Sequence, residues 1–181
     1  MSGKLKLNTH LYLVGARGAG KSHVGKLLAQ ELDAPFYDVD ELIYREQGRS
    51  IARIVQEEGW GEFRAMESGT LMRLSTDDAP SVIATGGGVV LDEDNSRLMR
   101  NSGVVIYLEV PVPVLVERVK GAVNADHRPP LTDLPLAQEM TQMMREREKL
   151  YRAAATAAVD GSLSEQEVTG VVMRLLAGDN S

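Results

Sequence analysis

Short apolar runs and stretches of helical spacing take turns along the whole chain. The runs His10-Leu11-Tyr12-Leu13-Val14, Val82-Ile83-Ala84 and Val104-Val105-Ile106-Tyr107-Leu108 are apolar or nearly so, without alternation. Strands covered by helices on both faces read this way. Strands are predicted over His10–Val14, Phe36–Asp38, 81–85, Gly103–Glu109 and 156–160. Helices are predicted over 20–32, 41–47, 51–58, 60–74, 93–101, 112–120, Leu136–Ala154 and 164–176, where apolar residues return every three or four positions. Strand followed by helix, repeated, predicts an α/β fold built on a parallel sheet. The least regular stretch is 121–135, which carries Pro129, Pro130 and Pro135. A loop of that length in a compact domain is usually functional or disordered. No repeat or low-complexity segment interrupts the pattern, and 181 residues suit one domain over 1–181.

Composition narrows the class without choosing a function. Apolar residues make up 43% and charged residues 25%, ordinary values for a globular protein. The net charge is −6 with no long run of either sign, so neither a nucleic-acid nor a membrane-surface partner is expected. The chain has no cysteine, which excludes disulfides and thiolate metal sites and fits a reducing cytoplasm. Residues 1–8 are polar and contain lysine, with no apolar core of a secretory signal. No apolar run approaches the roughly 18 residues of a membrane span. A cytoplasmic location is expected.

The sharpest chemistry lies between the first strand and the first helix. Gly15-Ala16-Arg17-Gly18-Ala19-Gly20-Lys21-Ser22 fits the G-x-x-x-x-G-K-[ST] phosphate loop at every fixed position. Its context is also right, a strand entering and a helix carrying Val24, Leu27, Leu28 and Leu32 leaving. Glycines let successive N–H groups turn inward on a polyphosphate, and the helix start adds its positive dipole end. Lys21 reaches the β- and γ-phosphates in this scheme, and the Ser22 hydroxyl ligates Mg²⁺. A nucleoside triphosphate with its Mg²⁺ is the expected ligand.

Four further segments have the residue types such a site needs. In Phe36-Tyr37-Asp38-Val39-Asp40-Glu41, two carboxylates stand where a strand hands over to a helix. One could serve Mg²⁺ and the other an attacking hydroxyl; the alternative is that Asp40 merely caps the helix starting at Glu41. On 60–74, positions Trp60, Arg64, Glu67, Leu71 and Leu74 share a face, so Arg64 and Glu67 sit in an apolar stripe. They form either a structural ion pair or a braced guanidinium with donors to spare. On Leu136–Ala154, a seam of Leu136, Met140, Met143, Arg147 and Leu150 contains one charge. Arg147 could snorkel, but two seam arginines on separate helices suggest a fixed anion, most simply a carboxylate. Thr85-Gly86-Gly87-Gly88 follows a buried strand and permits close backbone approach to a ligand, or is a plain loop.

The long loop contains Asp126-His127-Arg128-Pro129-Pro130-Leu131. An arginine on a closing lid would neutralise transition-state charge; a surface arginine is the alternative. His10 begins a strand, and neither His23 nor His127 has metal-ligand spacing. His23 joins the nucleotide site only as the residue after the loop.

Taken together, Asp38-x-Asp40, Gly61-x-Phe63-Arg64-x-x-Glu67, Thr85-Gly86-Gly87-Gly88 and Arg128-Pro129-x-Leu131-Thr132 resemble the shikimate kinases. The resemblance runs from about Leu11 to Leu175. The Arg147-Glu148-x-Leu150-Tyr151 segment makes it most similar to the enterobacterial second-isoenzyme type. The resemblance implies a three-layer α/β/α fold with a five-stranded parallel sheet of order 2-3-1-4-5, like nucleoside monophosphate kinases. It implies phosphorylation of the 3-hydroxyl of shikimate by ATP in a monomer. Lys21 and Ser22 would serve the phosphates and Mg²⁺, Asp38 the metal side, and Asp40 the shikimate hydroxyls as base. Arg64 and Arg147 would clamp the shikimate carboxylate, with Glu67 as brace. Gly86, Gly87 and Gly88 would line the acid pocket within a substrate-binding region of about 38–74. Arg128 would come from a lid of about 121–135, and Arg118 would pack on adenine. Segment 121–126 departs from other members, and Pro130 varies from the commoner leucine. A kinase of the same fold with gluconate or a nucleotide as acceptor, or a nucleotide-binding regulatory module, are the rival readings.

Overall fold

The computed structural model describes residues 5–121, 132 and 134–178. Strands β1 (His10–Val14), β2 (Phe36–Asp38), β3 (Val82–Ala84), β4 (Gly103–Glu109) and β5 (Ala157–Asp160) form one sheet. Their order is β2-β3-β1-β4-β5 and every pairing is parallel, as expected. In the middle of the sheet Tyr12 stands opposite Ile83 on one side and Val105 on the other. Two strands are shorter than expected, since Ser81, Thr85 and Thr156 fall just outside them. The pairing still continues past those ends: the Leu11 N–H donates to the Ser81 carbonyl at 2.9 Å and the Thr85 N–H to that of Leu13 at 3.2 Å.

Parallel neighbours need crossovers, and the helical segments supply them. The helices are α1 (Lys21–Leu32), α2 (Val39–Gln47), α3 (Ile51–Ser75), α4 (Glu93–Ser102), α5 (Val112–Gly121), α6 (Leu136–Ala154) and α7 (Glu165–Ala177). Helices α1 and α7 pack on each other and on the strands, while α4, α5 and α6 form a second packed group reaching β4. Between these layers Leu11 to Val14 have no solvent exposure at all. That is why β1 reads as an unbroken apolar run.

Two local differences from the sequence reading, in α2 and α6, have physical causes, whereas the helices expected over 51–58 and 60–74 are present as the two halves of α3, kinked apart where Gly59 is not helical (φ 86°, ψ 168°). Arg49 pairs with Glu57 at 2.8 Å and Glu58 at 2.6 Å just before the break. Helix α2 begins at Val39, two residues early, because Asp38 rather than Asp40 caps it. On α6, Met140, Met143 and Arg147 are buried as expected, but Leu150 is 38% exposed and Tyr151 is fully buried. Positions 150 and 151 straddle the seam. The buried side goes to the ring with a stacking partner, Tyr107 of β4.

Candidate active site

Because the sheet is parallel, the carboxyl ends of all its strands open on one edge, where α/β folds bind ligands. The phosphate loop leaves β1 there. Arg17, Gly18, Ala19, Gly20, Lys21, Ser22 and His23 line a cleft of about 490 Å³ together with Asp38, Asp40, Thr85 and Arg118. Gly15 and Ala16 lie buried beneath, and both their carbonyls accept from Lys21 Nζ at 2.8 Å. Gly15 has φ 145°, and a Cβ on it would stand 2.9 Å from the Leu108 carbonyl oxygen, so only glycine fits. Helices α2, α3, α4 and α7 are capped by Asp38, Ser50, Asp92 and Ser164, whereas α1 starts at Gly20 with no side-chain cap. Gly20 has no side chain to offer the first turn of α1, and that turn lines a cleft suited to an anion.

The two aspartates divide their work. Asp38 accepts from the backbone N–H groups of Asp40 at 3.1 Å and Glu41 at 3.3 Å, and also from the Ser22 hydroxyl. Capping therefore falls to Asp38, which also touches the phosphate-loop serine. Asp40 is left in the first turn of α2, half-buried, with the cleft in front of it.

The seam arginines meet at a second cleft of about 390 Å³, lined by Trp60, Arg64, Leu91, Glu139, Met143, Glu146 and Arg147. Arg64 Nη1 donates to Glu67 at 2.6 Å, and Glu67 is completely buried. The Arg64 guanidinium also lies 5.3 Å from the Trp60 ring centre and 5.4 Å from that of Phe63. Both arginines rest on the glycine triplet. A Cβ on Gly88 would fall 2.1 Å from Arg64 Cζ, and Arg147 Nη1 donates to the Gly87 carbonyl at 3.2 Å. Gly87 also backs onto the phosphate loop, with a Cβ position 3.4 Å from the Arg17 nitrogen. Gly86 closes the turn by accepting from the Val89 N–H at 3.2 Å. The triplet is the seam between the two clefts.

Arg118 crosses the far side of the first cleft, donating to the carbonyls of Gly161 at 2.9 Å and Gly18 at 3.4 Å. That turn after β5 brings Gly161, Leu163, Ser164, Glu165 and Val168 to the cleft, residues the sequence reading missed. Their one signal is the turn sequence Asp160-Gly161-Ser162 at the carboxyl end of a strand. Hydrogen bonds from the Ser162 hydroxyl and N–H, helped by Arg118, hold the Asp160 carboxyl below the usual carboxylate range. His23 stands 3.8 Å from Glu165 across the α1–α7 contact. Buried Glu139 was also missed; it accepts from the Thr132 N–H at 3.0 Å. Arg128 and His127 lie outside the described residues. Among the described residues no group of three or more His, Cys, Asp or Glu could hold a metal, and no helix is long and apolar enough to cross a membrane.

A family model described as shikimate kinase matches residues 17–177. Shikimate kinase 2 of Enterobacter sp. (strain 638) is 44% identical over 167 residues, 92% of this chain and 94% of that one. Shikimate kinase 2 of Sodalis glossinidius is 39% identical over 170 residues, 94% of this chain and 97% of its own length. Among solved structures, shikimate kinase from Acinetobacter baumannii in complex with shikimate superposes with a TM-score of 0.88 at 31% identity, covering 95% of this chain and 94% of that one. A gluconokinase from Sinorhizobium meliloti 1021 has a TM-score of 0.63 at 17% identity over 96% of this chain and 94% of its own, a likeness of fold alone. Matched nearly end to end by the family model and by these relatives, the chain belongs to the shikimate kinase family.

Proposed function

We propose that the chain transfers the γ-phosphoryl group of ATP to the 3-hydroxyl of shikimate, giving shikimate 3-phosphate and ADP for aromatic amino-acid (chorismate) biosynthesis. Family membership carries the activity and its two substrates. The observation that carries the site is the glycine triplet, with the phosphate loop behind it and both arginines on it. Arg64 and Arg147 hold the acid by its carboxylate, a planar anion matched to guanidinium forks. Asp40 orients the hydroxyl and takes its proton as the oxygen attacks phosphorus. The bond from phosphorus to the β–γ bridging oxygen breaks, and ADP leaves with that electron pair. Lys21, the N–H groups of the loop and Arg128 balance charge on the transferring group. Placement and electrostatics supply the catalysis, with no covalent intermediate.

Ser22 and Asp38, whose side chains meet, fit a Mg²⁺ held mainly by the nucleotide's own phosphates. The ion would offset charge on the β- and γ-oxygens. Arg118 would lie against adenine, with His23 at the edge of the same site. We take the enzyme to work as a monomer in the cytoplasm, with no nucleic-acid or membrane partner.

Phosphorus NMR of the reaction product tests the proposal. The expected product shows a monoester phosphorus coupled to the proton on C3 of the ring. Coupling to the C4 or C5 proton would overturn the placement of the hydroxyl beside Asp40.

A further inference from the structure

Within Arg147-Glu148-Lys149-Leu150-Tyr151, Arg147 and Tyr151 are the buried positions, and phosphoryl transfer as described gives Tyr151 no task. Four residues apart on α6, the two side chains share a face. They also share an acceptor. The Gly87 carbonyl receives Arg147 Nη1 at 3.2 Å and the Tyr151 hydroxyl. Arg147 Nε, by contrast, is buried with no hydrogen-bond partner among the described residues. A buried charged donor without an acceptor is costly, and an arriving anion would relieve it.

One guanidinium nitrogen is thus tied to the backbone and another is unspent. Because the guanidinium is planar and rigid, the tie through Nη1 sets where Nε points. The tie is only as firm as the Gly87 carbonyl, a backbone group with no side chain of its own to anchor it. Tyr151 is firm: its ring is fully buried and stacked on Tyr107, with centroids 5.2 Å apart and planes 18° from parallel.

We infer that Tyr151 is a positioning residue for acid binding. Its hydroxyl fixes the Gly87 carbonyl at the angle that aims the unspent Arg147 donor at the substrate carboxylate. The inference rests on the reading of Arg147 as a carboxylate ligand.

The test is Tyr151→Phe, which keeps the ring and its stack, beside Tyr107→Phe, which removes a buried hydroxyl that has no hydrogen-bond partner among the described residues. In Tyr151→Phe, KM for shikimate and the calorimetric Kd for shikimate should rise about tenfold, the factor that about 1.4 kcal/mol gives. KM for ATP and the melting temperature should stay close to wild type, and Tyr107→Phe should leave both KM values alone. An unchanged shikimate KM in an active Tyr151→Phe enzyme would overturn this inference and leave the parent reading standing. Equal rises in both variants would overturn it too, by assigning the effect to the ring stack. A wild-type protein without shikimate-dependent turnover would bring down both readings together.

Discussion

A single methyl group at position 88 is enough to test how the acid site is built. A Cβ there would fall 2.1 Å from Arg64 Cζ, and the group in its way is the far end of a flexible side chain. Gly88→Ala should therefore fold, but with Arg64 pushed off its place beside Glu67. Steady-state kinetics should show KM for shikimate up about tenfold or more with KM for ATP little changed, as expected when a charged hydrogen bond is lost. Arg147→Ala should move the same parameter further, and an unchanged shikimate KM in both variants would remove the clamp. The arginines themselves were legible in sequence, because a charge inside an apolar helical stripe is expensive and needs a reason. The capping role of Asp38 was not. With the helix expected to begin at Glu41 the cap falls on Asp40, and only the start of α2 at Val39 shows that the backbone uses Asp38. Tyr151 was hidden for a similar reason: three- and four-residue steps both continue a helical seam, and only the presence of Tyr107 chooses between them.

Among the elements, α3 carries the sharpest backbone feature, its break at Gly59. Gly59 has φ 86° and ψ 168°, a backbone region nearly closed to other residues, and among the described residues no packed neighbour lies within 4 Å of where a Cβ would go. Gly59→Ala should thus act through the backbone alone and cost about 1–3 kcal/mol in urea unfolding. A neutral result would mean that the two halves of α3 straighten at no cost. The two halves were visible in sequence as separate helical patterns, because the apolar stripe changes phase across Gly59. Strand positions were equally legible, since buried parallel strands leave unbroken apolar runs. The turn after β5 was not legible as part of the nucleotide cleft. Residues 161–168 come to the loop through the β4–β5 pairing, the α1–α7 packing and the Arg118 hydrogen bonds, all long-range facts. Glu139 was missed because a carboxylate on a polar-looking helix face reads as solvated until Thr132 is seen against it.

For the whole molecule, the sheet order followed from resemblance, whereas the α/β class followed from the strand–helix alternation itself. The same packed core sets an alkaline limit on stability. Burial, with Glu109 and Glu148 nearby, keeps the Tyr107 phenol protonated up to about 12, and burial raises Tyr12 as well. In the unfolded chain such groups ionise near 10, so between the two values the unfolded state releases its proton first. Tyr107's share of stability is therefore intact below about pH 10 and is lost as pH rises towards about 12, by at most about 1.4 kcal/mol per pH unit. Tyr107→Phe should flatten that alkaline decline in urea unfolding measured from pH 8 upward. A parallel decline in the variant would place the sensitivity elsewhere.

The most direct measurement of the central claim is ADP release from ATP and Mg²⁺ with shikimate, with gluconate, and with no acceptor. Release that depends on shikimate, is absent with gluconate and stops when EDTA removes the metal is the predicted result. Release with gluconate alone would contradict it, keeping the phosphate loop and the fold but giving the two arginines another acid to hold.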